Sequence, residues 1–327
     1  MNTTMFVYGS ELQGRGHVTT TDLQFGSLTT IIGIVAFIGG LLNLYLIKKL
    51  KMFHSAFGFF WGARTAGELG IDFVYLAYTG PVTILQVANI PARIGIFFYH
   101  FGFAFTYIQC VMHWAIALNR LVAVWLPLRY GRIFNKKLCI TVVVFICVKA
   151  IAIVALFIVF PCNHLGYSPR FHANVFVKCS PYLNRDYSLI APILYKVCFS
   201  VLCSGTGIIN FVTFTKIAYI RITSKAAYNQ RDFKRDVRLF TVGVVQDVVM
   251  VGIVAYTVYV NNAQNISDTG ILVSYDGLVF INIVNTISMV FFNPECRRSL
   301  FQTATKISSI SGTVEPGQSA TAAERST

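Results

Sequence analysis

The segment YHFGFAFTYIQCVMHWAIALNRLVAVWLPLRY, residues 99–130, is a long apolar run that ends in Arg120 and a Pro-Leu-Arg-Tyr turn. At a helical period its polar groups fall on one stripe, which drifts only about 20° per seven residues. The stripe consists of Tyr99, Phe103, Thr106, Cys110, His113, Ala117 and Arg120. The opposite side is apolar and could face lipid; it carries Phe101, Phe105, Ile108, Met112 and Ile116. A helix from Tyr99 to Arg120 spans about 30 Å, the thickness of a bilayer's hydrocarbon core.

Composition points to a membrane. Hydrophobic residues make up 55% of the 327 residues and charged residues only 12%, and the mean hydropathy is +0.62. A water-exposed globular surface needs more charge than this, so the chain is a membrane protein. The net charge of +14 could attract nucleic acid, but the basic residues cluster between apolar runs, which argues against that partner.

Apolar segments long enough to span recur throughout the chain. We predict an all-α bundle of seven transmembrane helices, with spans at about residues 26–47, 56–78, 99–120, 138–160, 188–216, 237–260 and 271–292. Residues 81–93 are expected to form an outer loop. Residues 1–25 are expected to be an extracellular N-terminus without a signal peptide. Residues 26–307 then form one seven-span domain that ends in a short amphipathic helix, and residues 308–327 form a disordered cytoplasmic tail.

The distribution of basic residues predicts the orientation. Only Arg15 precedes the first span as a base, whereas Lys48, Lys49 and Lys51 follow it directly. The positive-inside rule therefore puts the N-terminus outside. The two glycosylation triplets of the chain begin at Asn2 and Asn265, and both lie outside on this layout.

Several spans carry polar groups that need partners in the bundle. Arg64, Glu68 and Asp72 follow one another at helical spacing on one face of the second span. Two interpretations stay open: a structural Arg64–Glu68 ion pair with Asp72 near the outer water, or an ion or switch site. The other polar groups of this intramembrane set are Asn43 in the first span, Gln246 and Asp247 in the sixth, and Asn282, Asn285 and Ser288 in the seventh.

The cysteines indicate a disulfide rather than a metal site. Cys162 and Cys179 lie near the two ends of the longest outer loop, where they are natural disulfide partners, with two free thiols as the alternative. The other six show no spacing typical of metal ligands. Cys296, on the amphipathic stretch after the last span, is a candidate for palmitoylation, and an unmodified thiol is an equal alternative.

Residues 117–130, ALNRLVAVWLPLRY, resemble the end of the third helix of rhodopsin-like G-protein-coupled receptors, where an acid-Arg-aromatic triplet precedes a Pro-Leu-x-Tyr turn. Asn119 and Leu121 depart from that triplet. In combination with residues 53–58 (FHSAFG), Gln246-Asp247 and residues 292–297 (FNPECR), the chain looks like the nematode serpentine receptor class X of chemoreceptors. The sixth span lacks the Cys-Trp-x-Pro motif, and the last span lacks the lysine that an opsin needs for retinal.

The resemblance implies a chemosensory receptor that detects a small external ligand, such as an odorant, pheromone or peptide, and activates a heterotrimeric G protein without a cofactor. The residues that it assigns to coupling are Asn119, Arg120, Pro127, Leu128 and Tyr130. Because Asn119 cannot hold Arg120 by charge, Asp232 or Asp236 is a candidate for the lock of the inactive state. The resemblance also implies a multi-pass protein of the plasma membrane, in the cilium of a sensory neuron.

Two further hypotheses concern ligand and class. Aromatic walls with few polar groups suit a small organic molecule, and the candidate pocket residues are Tyr99, Phe103, Thr106, Lys196 and Asp276, although an aromatic stripe at helical spacing is more often core packing. The main rival class is a seven-span ligand-gated channel or transporter, supported by the set Arg64, Glu68, Asp72, Lys149 and Asp247. Neither a repeat nor paired broken helices supports the rival class, and no metalloprotease or paired-aspartate motif indicates an enzyme.

Overall fold

The structure, a computed structural model, describes residues 6–159, 164–178, 180, 198–223, 230–262 and 268–311. Within these ranges seven long helices form the bundle: α1 (Thr20–Lys49), α2 (Ala56–Val74), α4 (Ala92–Trp125), α6 (Lys136–Val159), α7 (Cys198–Thr223), α8 (Gln230–Asn262) and α9 (Asp268–Phe292). Three shorter helices complete it: α3 (Gly80–Leu85), α5 (Pro127–Ile133) and α10 (Pro294–Ser311). We call the end of the bundle that holds residues 6–19 the N-terminal face, and the end that holds α5 and α10 the C-terminal face.

Length and composition identify five membrane-crossing candidates among the described helices. These are α1, α4, α6 and the segments Phe240–Thr257 of α8 and Thr269–Phe292 of α9. Helix α2 falls outside this set because it carries Arg64, Glu68 and Asp72 within 19 residues. Its charges are accommodated by neighbouring helices rather than by water.

Helix α1 begins at Thr20, six residues before the predicted start of the first span. Thr19 and Asp22 form a capping box: the Thr19 hydroxyl accepts from the Asp22 N–H at 3.2 Å, and the Asp22 carboxylate accepts from the Thr19 N–H at 3.0 Å. The reciprocal bonds satisfy two N–H groups that would otherwise lack partners. A capping pair therefore fixes the start of the helix, ahead of the apolar run.

The prediction of an outer loop at residues 81–93 is wrong for residues 81–85, which are helical. The chain leaves α2 through a π-helical turn, Tyr75–Thr79, and continues as α3, in whose first turn Pro81 lies. A proline is tolerated there because the N–H groups of a helix's first turn have no acceptor within the helix, so its missing N–H costs no hydrogen bond. The helix ends at Leu85 and is followed by Gln86, which adopts φ 45°. Only residues 86–91 therefore connect α3 to α4.

Helix α4 lies at the centre of the bundle and packs closely against α2. A Cβ at Gly70 would collide with the Phe105 ring, and one at Gly67 would lie 3.0 Å from the Gln109 nitrogen. Met112 is fully buried and Ile116 nearly so. The side of α4 that the sequence allowed to face lipid is therefore largely core, because lipid tails and protein interiors are equally apolar and the pattern cannot tell them apart.

Helix α6, in contrast, presents an apolar face that nothing in the described chain covers. Ile151 is 67% exposed, and Val144, Phe145 and Val148 are also exposed. In a membrane-spanning bundle such a face is the one that contacts lipid.

The N-terminal segment folds over a β-hairpin at the N-terminal face. Strands β1 (Leu165–Ser168) and β2 (Ala173–Phe176) pair antiparallel. Leu12 is buried against Gly166 of β1. The Ser168 hydroxyl donates to the Glu11 carbonyl at 2.6 Å, and Arg170 donates to the Gly14 carbonyl at 2.9 Å. Residues 6–19 thus form part of the packed structure and cover the hairpin.

Candidate functional site

A buried ion pair joins three helices in the middle of the bundle. Arg64 Nε lies 3.0 Å from Glu68 Oε1, and both side chains are 1% exposed. Arg64 Nη1 donates to Gln246 of α8 at 2.9 Å, while Asn285 of α9 donates to Glu68 Oε1 at 2.6 Å. The predicted Arg64–Glu68 pair is therefore present, and each charge has a polar partner on another helix.

Asp72 lies in the same layer of polar groups, one turn further along α2. It is fully buried and accepts a hydrogen bond from Asn282 at 2.7 Å; Gln109 of α4 in turn donates to Asn282 at 2.8 Å. The expectation that Asp72 lies near outer water is wrong. Because the helix continues to Leu85, Asp72 sits about 20 Å before its end.

Two hydrogen bonds tie α1 to α9. Asn43 donates to Thr286 at 2.9 Å, and Thr29 donates to Asp276 at 2.9 Å. The partner helix that Asn43 was expected to need is thus α9. Asp276, predicted for the ligand pocket, is buried and accepts from α1.

A second polar cluster joins α4, α7 and α8. The carboxylate of Asp247 contacts His113 Nδ1 at 2.7 Å through one oxygen and accepts from Asn210 Nδ2 at 2.6 Å through the other. All three side chains are buried. His113 belonged to the predicted polar stripe, whereas Asn210 was missed; its signal was a lone amide within the apolar fifth span.

Arg120 is buried at the C-terminal side of this cluster. Its guanidinium lies over the Phe57 ring at 5.3 Å from the centroid, and the Asp247 carboxylate attracts it. A Cβ at Gly243 of α8 would collide with the guanidinium. Two of its nitrogens, Nε and Nη1, have no hydrogen-bond acceptor among the described residues.

The other residues assigned to coupling lie on the last turns of α4 and on α5, at the C-terminal face. The Asn119 amide bonds to the Tyr130 hydroxyl at 3.1 Å. Pro127 begins α5, and Leu128 on that helix is 100% exposed. The turn therefore presents apolar side chains to the surroundings, with Leu126 43% and Leu128 100% exposed, while Asn119 fastens α5 to the end of α4.

Of the predicted pocket residues, Tyr99, Phe103 and Thr106 lie along α4 and Asp276 lies on α9. Tyr99 stacks on Phe103 at 6.2 Å, and Phe103 also contacts Phe157 of α6. Thr106 donates to its own helix at the Gly102 carbonyl. Asp276 lies beside α1, as described above.

Several predicted sites lie outside the described residues. They are Asn2, Asn265, Cys162, Cys179 and Lys196, together with the side chains of Asp232 and Asp236. Palmitoylation of Cys296 does not fit the structure, because that thiol, in the first turn of α10, is fully buried in the core. Among the described residues no group of three His, Cys, Asp or Glu side chains could hold a metal.

A cavity of about 730 Å³ lies between α7 and α8. Asn210 and Asp247 form its polar part, and the rest of the lining is apolar or small: Ser204, Gly207, Phe211, Phe214, Val244, Val248 and Val251. This cavity was not predicted from the sequence, since it depends on how two helices diverge.

The bundle has the seven-helix membrane fold of the rhodopsin type. Squid rhodopsin superposes with a TM-score of 0.69 over 89% of this chain and 88% of that chain, at 14% sequence identity, which shows a shared fold. Residues 28–293 match the model of the serpentine-type 7TM GPCR chemoreceptors Srx, and the chain belongs to this family. A comparison with curated proteins gave no significant match. The family is one of receptors and not of enzymes.

Proposed function

We propose that this receptor detects a small external ligand and activates a heterotrimeric G protein through Arg120. The observation that carries the proposal is the environment of that side chain: a buried cation with two guanidinium nitrogens that have no acceptor among the described residues, held beside Gly243 of α8. A buried charge without full partners is costly. It is therefore poised to donate to a carbonyl or carboxylate oxygen of another protein when α8 moves away.

The contacts define how a ligand could act. Helices α4 and α8 meet at Arg120 and Gly243 and again at His113 and Asp247. A ligand that binds better when these contacts are open favours the open arrangement, and a ligand with equal affinity for both arrangements has no effect. The exposed Leu128 supplies an apolar contact for the G protein at the same face.

The proposal includes an orientation with the N-terminus outside, in a plasma membrane such as that of a sensory cilium. It is supported by the basic residues that follow α1 and lie between α4 and α6, which favour the cytoplasmic side. Glycosylation mapping of Asn2 and Asn265 by Asn→Gln substitution tests it. A glycan at either position supports the layout, whereas glycans only on triplets introduced between α4 and α6 would invert it.

The lock between Arg120 and Asp232 or Asp236 is part of the proposal. Both aspartates lie in the first two turns of α8, the helix that carries Gly243. If either carboxylate holds Arg120 across the C-terminal face, Asp232→Asn or Asp236→Asn raises ligand-free signalling. Unchanged basal signalling in both variants would remove the lock from the mechanism.

The channel alternative loses its main support in this structure. Arg64, Glu68, Asp72 and Asp247 each bond to a neighbouring helix, as a structural network does. Lys149 is exposed on α6, with its ammonium over the Phe145 ring, as expected of a lysine that extends along lipid toward the membrane surface.

The decisive experiment uses the full chain in lipid nanodiscs with purified heterotrimeric G proteins. We expect receptor-dependent nucleotide exchange with at least one G-protein class, and loss of that exchange in Arg120→Leu. Planar-bilayer recordings of the same preparation serve as the second arm. Two results together would favour the channel over the receptor. They are nucleotide exchange no faster than with empty nanodiscs for every G-protein class, and an ion current that needs no G protein.

A further inference from the structure

Helix α6 carries one charged side chain on its uncovered face. Lys149 is exposed and forms no ion pair with any of the described residues. It lies about 20 Å along the helix from Lys136 and about 15 Å from Val159. Because the hydrocarbon core of a bilayer is about 30 Å thick, Lys149 is near the middle of the membrane.

The ammonium of Lys149 does not reach the membrane surface. It lies 5.3 Å from the centroid of the Phe145 ring, one turn earlier on the helix. Phe145 is itself about 14 Å from Lys136, the exposed residue with which α6 begins at the C-terminal face. A lysine side chain extends only about 6 Å from its Cα, so it cannot cover the remaining distance. The Phe145 ring compensates part of the cost of this charge in hydrocarbon, and the rest calls for an acceptor.

The receptor's own carboxylates do not provide that acceptor. Beyond the first two turns of the described spans, each carboxylate accepts a hydrogen bond from another helix and is buried; these are Glu68, Asp72, Asp247 and Asp276. A second copy of the chain does not provide it either, because contact of this face about a two-fold axis brings two Lys149 side chains together.

The surface beside Lys149 has the pattern of a helix-pairing seam. Six exposed residues follow one another at alternating spacings of four and three, the heptad spacing that lets two helices pack along a line. They are Thr141, Phe145, Val148, Ala152, Ala155 and Val159. The two alanines are small side chains of the kind that let helix backbones approach closely in a membrane. Lys149 directly follows Val148 and flanks the seam at a position where paired helices form ion pairs.

We propose that this seam of α6 binds a transmembrane helix of another membrane protein, and that a carboxylate near the middle of that helix pairs with Lys149. The ammonium then has its acceptor within the hydrocarbon core, where water does not weaken the attraction. The seam supplies packing over about 27 Å, nearly the thickness of that core. An anionic lipid does not meet these requirements, because its headgroup stays at the membrane surface. The site goes beyond the proposed function, since the contact depends on neither ligand nor G protein.

The experiment measures association of the full receptor with a synthetic helix in lipid vesicles by fluorescence energy transfer. The probe is a single-span peptide of leucine and alanine with one aspartate at its centre, and the control peptide has leucine there. We expect the aspartate peptide to bind about tenfold more tightly than the leucine peptide, and Lys149→Leu to remove that preference. The reversed pair, Lys149→Asp with a peptide that carries a central lysine, should restore it.

Matched variants of α6 separate the seam from the charge. Ala152→Phe puts a ring into the seam beside Lys149, whereas Ile151→Phe adds the same ring about 100° around the helix. Both positions are exposed, so neither change disturbs the core of the bundle. We expect Ala152→Phe to weaken binding of the aspartate peptide about tenfold and Ile151→Phe to leave it unchanged.

Several outcomes would overturn the proposal. Equal binding of the two peptides, or equal binding of the aspartate peptide to the unaltered receptor and to Lys149→Leu, would mean that Lys149 takes no carboxylate. Energy transfer between two labelled receptors that is lost in Ala152→Phe would make the seam an interface between copies of this chain. Rapid acylation of Lys149 by a water-soluble amine reagent, without peptide, would place the ammonium at the membrane surface. None of these results bears on nucleotide exchange, so a failure of this site is distinguishable from a failure of the receptor function.

Discussion

The guanidinium of Arg120 on α4 occupies the space beside Gly243 on α8 that a side chain at that position would need. Glycine in the interior of a helix costs about 1 kcal/mol relative to alanine. The Arg120 guanidinium packs against Gly243 and explains why a glycine stands there. Without a side chain at this position, α4 and α8 can approach closely at the level of Arg120, the residue proposed to contact the G protein.

Gly243→Ala is expected to raise ligand-free signalling. The added methyl collides with Arg120 and favours the arrangement in which α8 has moved away; a bias of about 1 kcal/mol corresponds to about fivefold in basal nucleotide exchange. Gly252→Ala on the same helix is the control, because its Cβ meets nothing within 4 Å. Equal basal exchange in the two variants would show that the Arg120–Gly243 contact does not restrain the receptor.

Glu68→Leu is expected to destabilise the bundle by about 3–5 kcal/mol, because Arg64 is left as a buried charge without its partner. Adding Arg64→Met should cost less than the sum of the two single losses, by about 1–3 kcal/mol. Thermal unfolding of the purified receptor measures all three variants, with Ile151→Ala on the exposed face of α6 as the control. If the loss of stability in the double variant equals the sum of the two single losses, Arg64 and Glu68 do not interact directly.

Leu12→Ala is expected to release residues 6–16 from the β-hairpin, since Leu12 is the side chain of that segment buried against Gly166. Amide hydrogen exchange of these residues should accelerate by about tenfold or more, without change in α6. Val7→Ala is the control because Val7 is exposed. If both variants exchange alike, polar contacts such as Ser168 to Glu11 and Arg170 to Gly14 hold the N-terminal segment without help from Leu12.

Cys296 is expected to resist thiol reagents in the folded receptor. Burial raises the pKa of this thiol from 9.0 to about 12, and the neighbouring Glu295 adds to the effect. The reactive thiolate is therefore scarce at pH 8 and forms only as the pH rises toward 12 or the protein unfolds. Maleimide labelling read by peptide mass spectrometry checks this, with Leu128→Cys as the exposed control. Rapid labelling of native Cys296 would show that α10 detaches from the bundle.

The sequence alone determined the class of the protein and much of the secondary structure. Apolar runs, the placement of basic residues and the Asn119–Tyr130 segment predicted a seven-helix membrane receptor, because hydrophobic length and local motifs are encoded in neighbouring residues. The Arg64–Glu68 pair was also predictable, since residues four apart lie on one helix face. The continuation of the second helix past Pro81 was not, because a π-helical turn depends on packing around it.

Only the tertiary structure decided which polar groups meet. Asp247 bonds to His113 and Asn210, which lie 134 and 37 residues earlier in the chain. Nothing in the sequence distinguishes Gly243 from the other glycines; only the structure places Arg120 beside it. The apolar side of α4 became core instead of lipid contact for the same reason. A helix's own sequence states which faces are apolar or polar, whereas the identity of the neighbour on each face is set by how the seven helices pack.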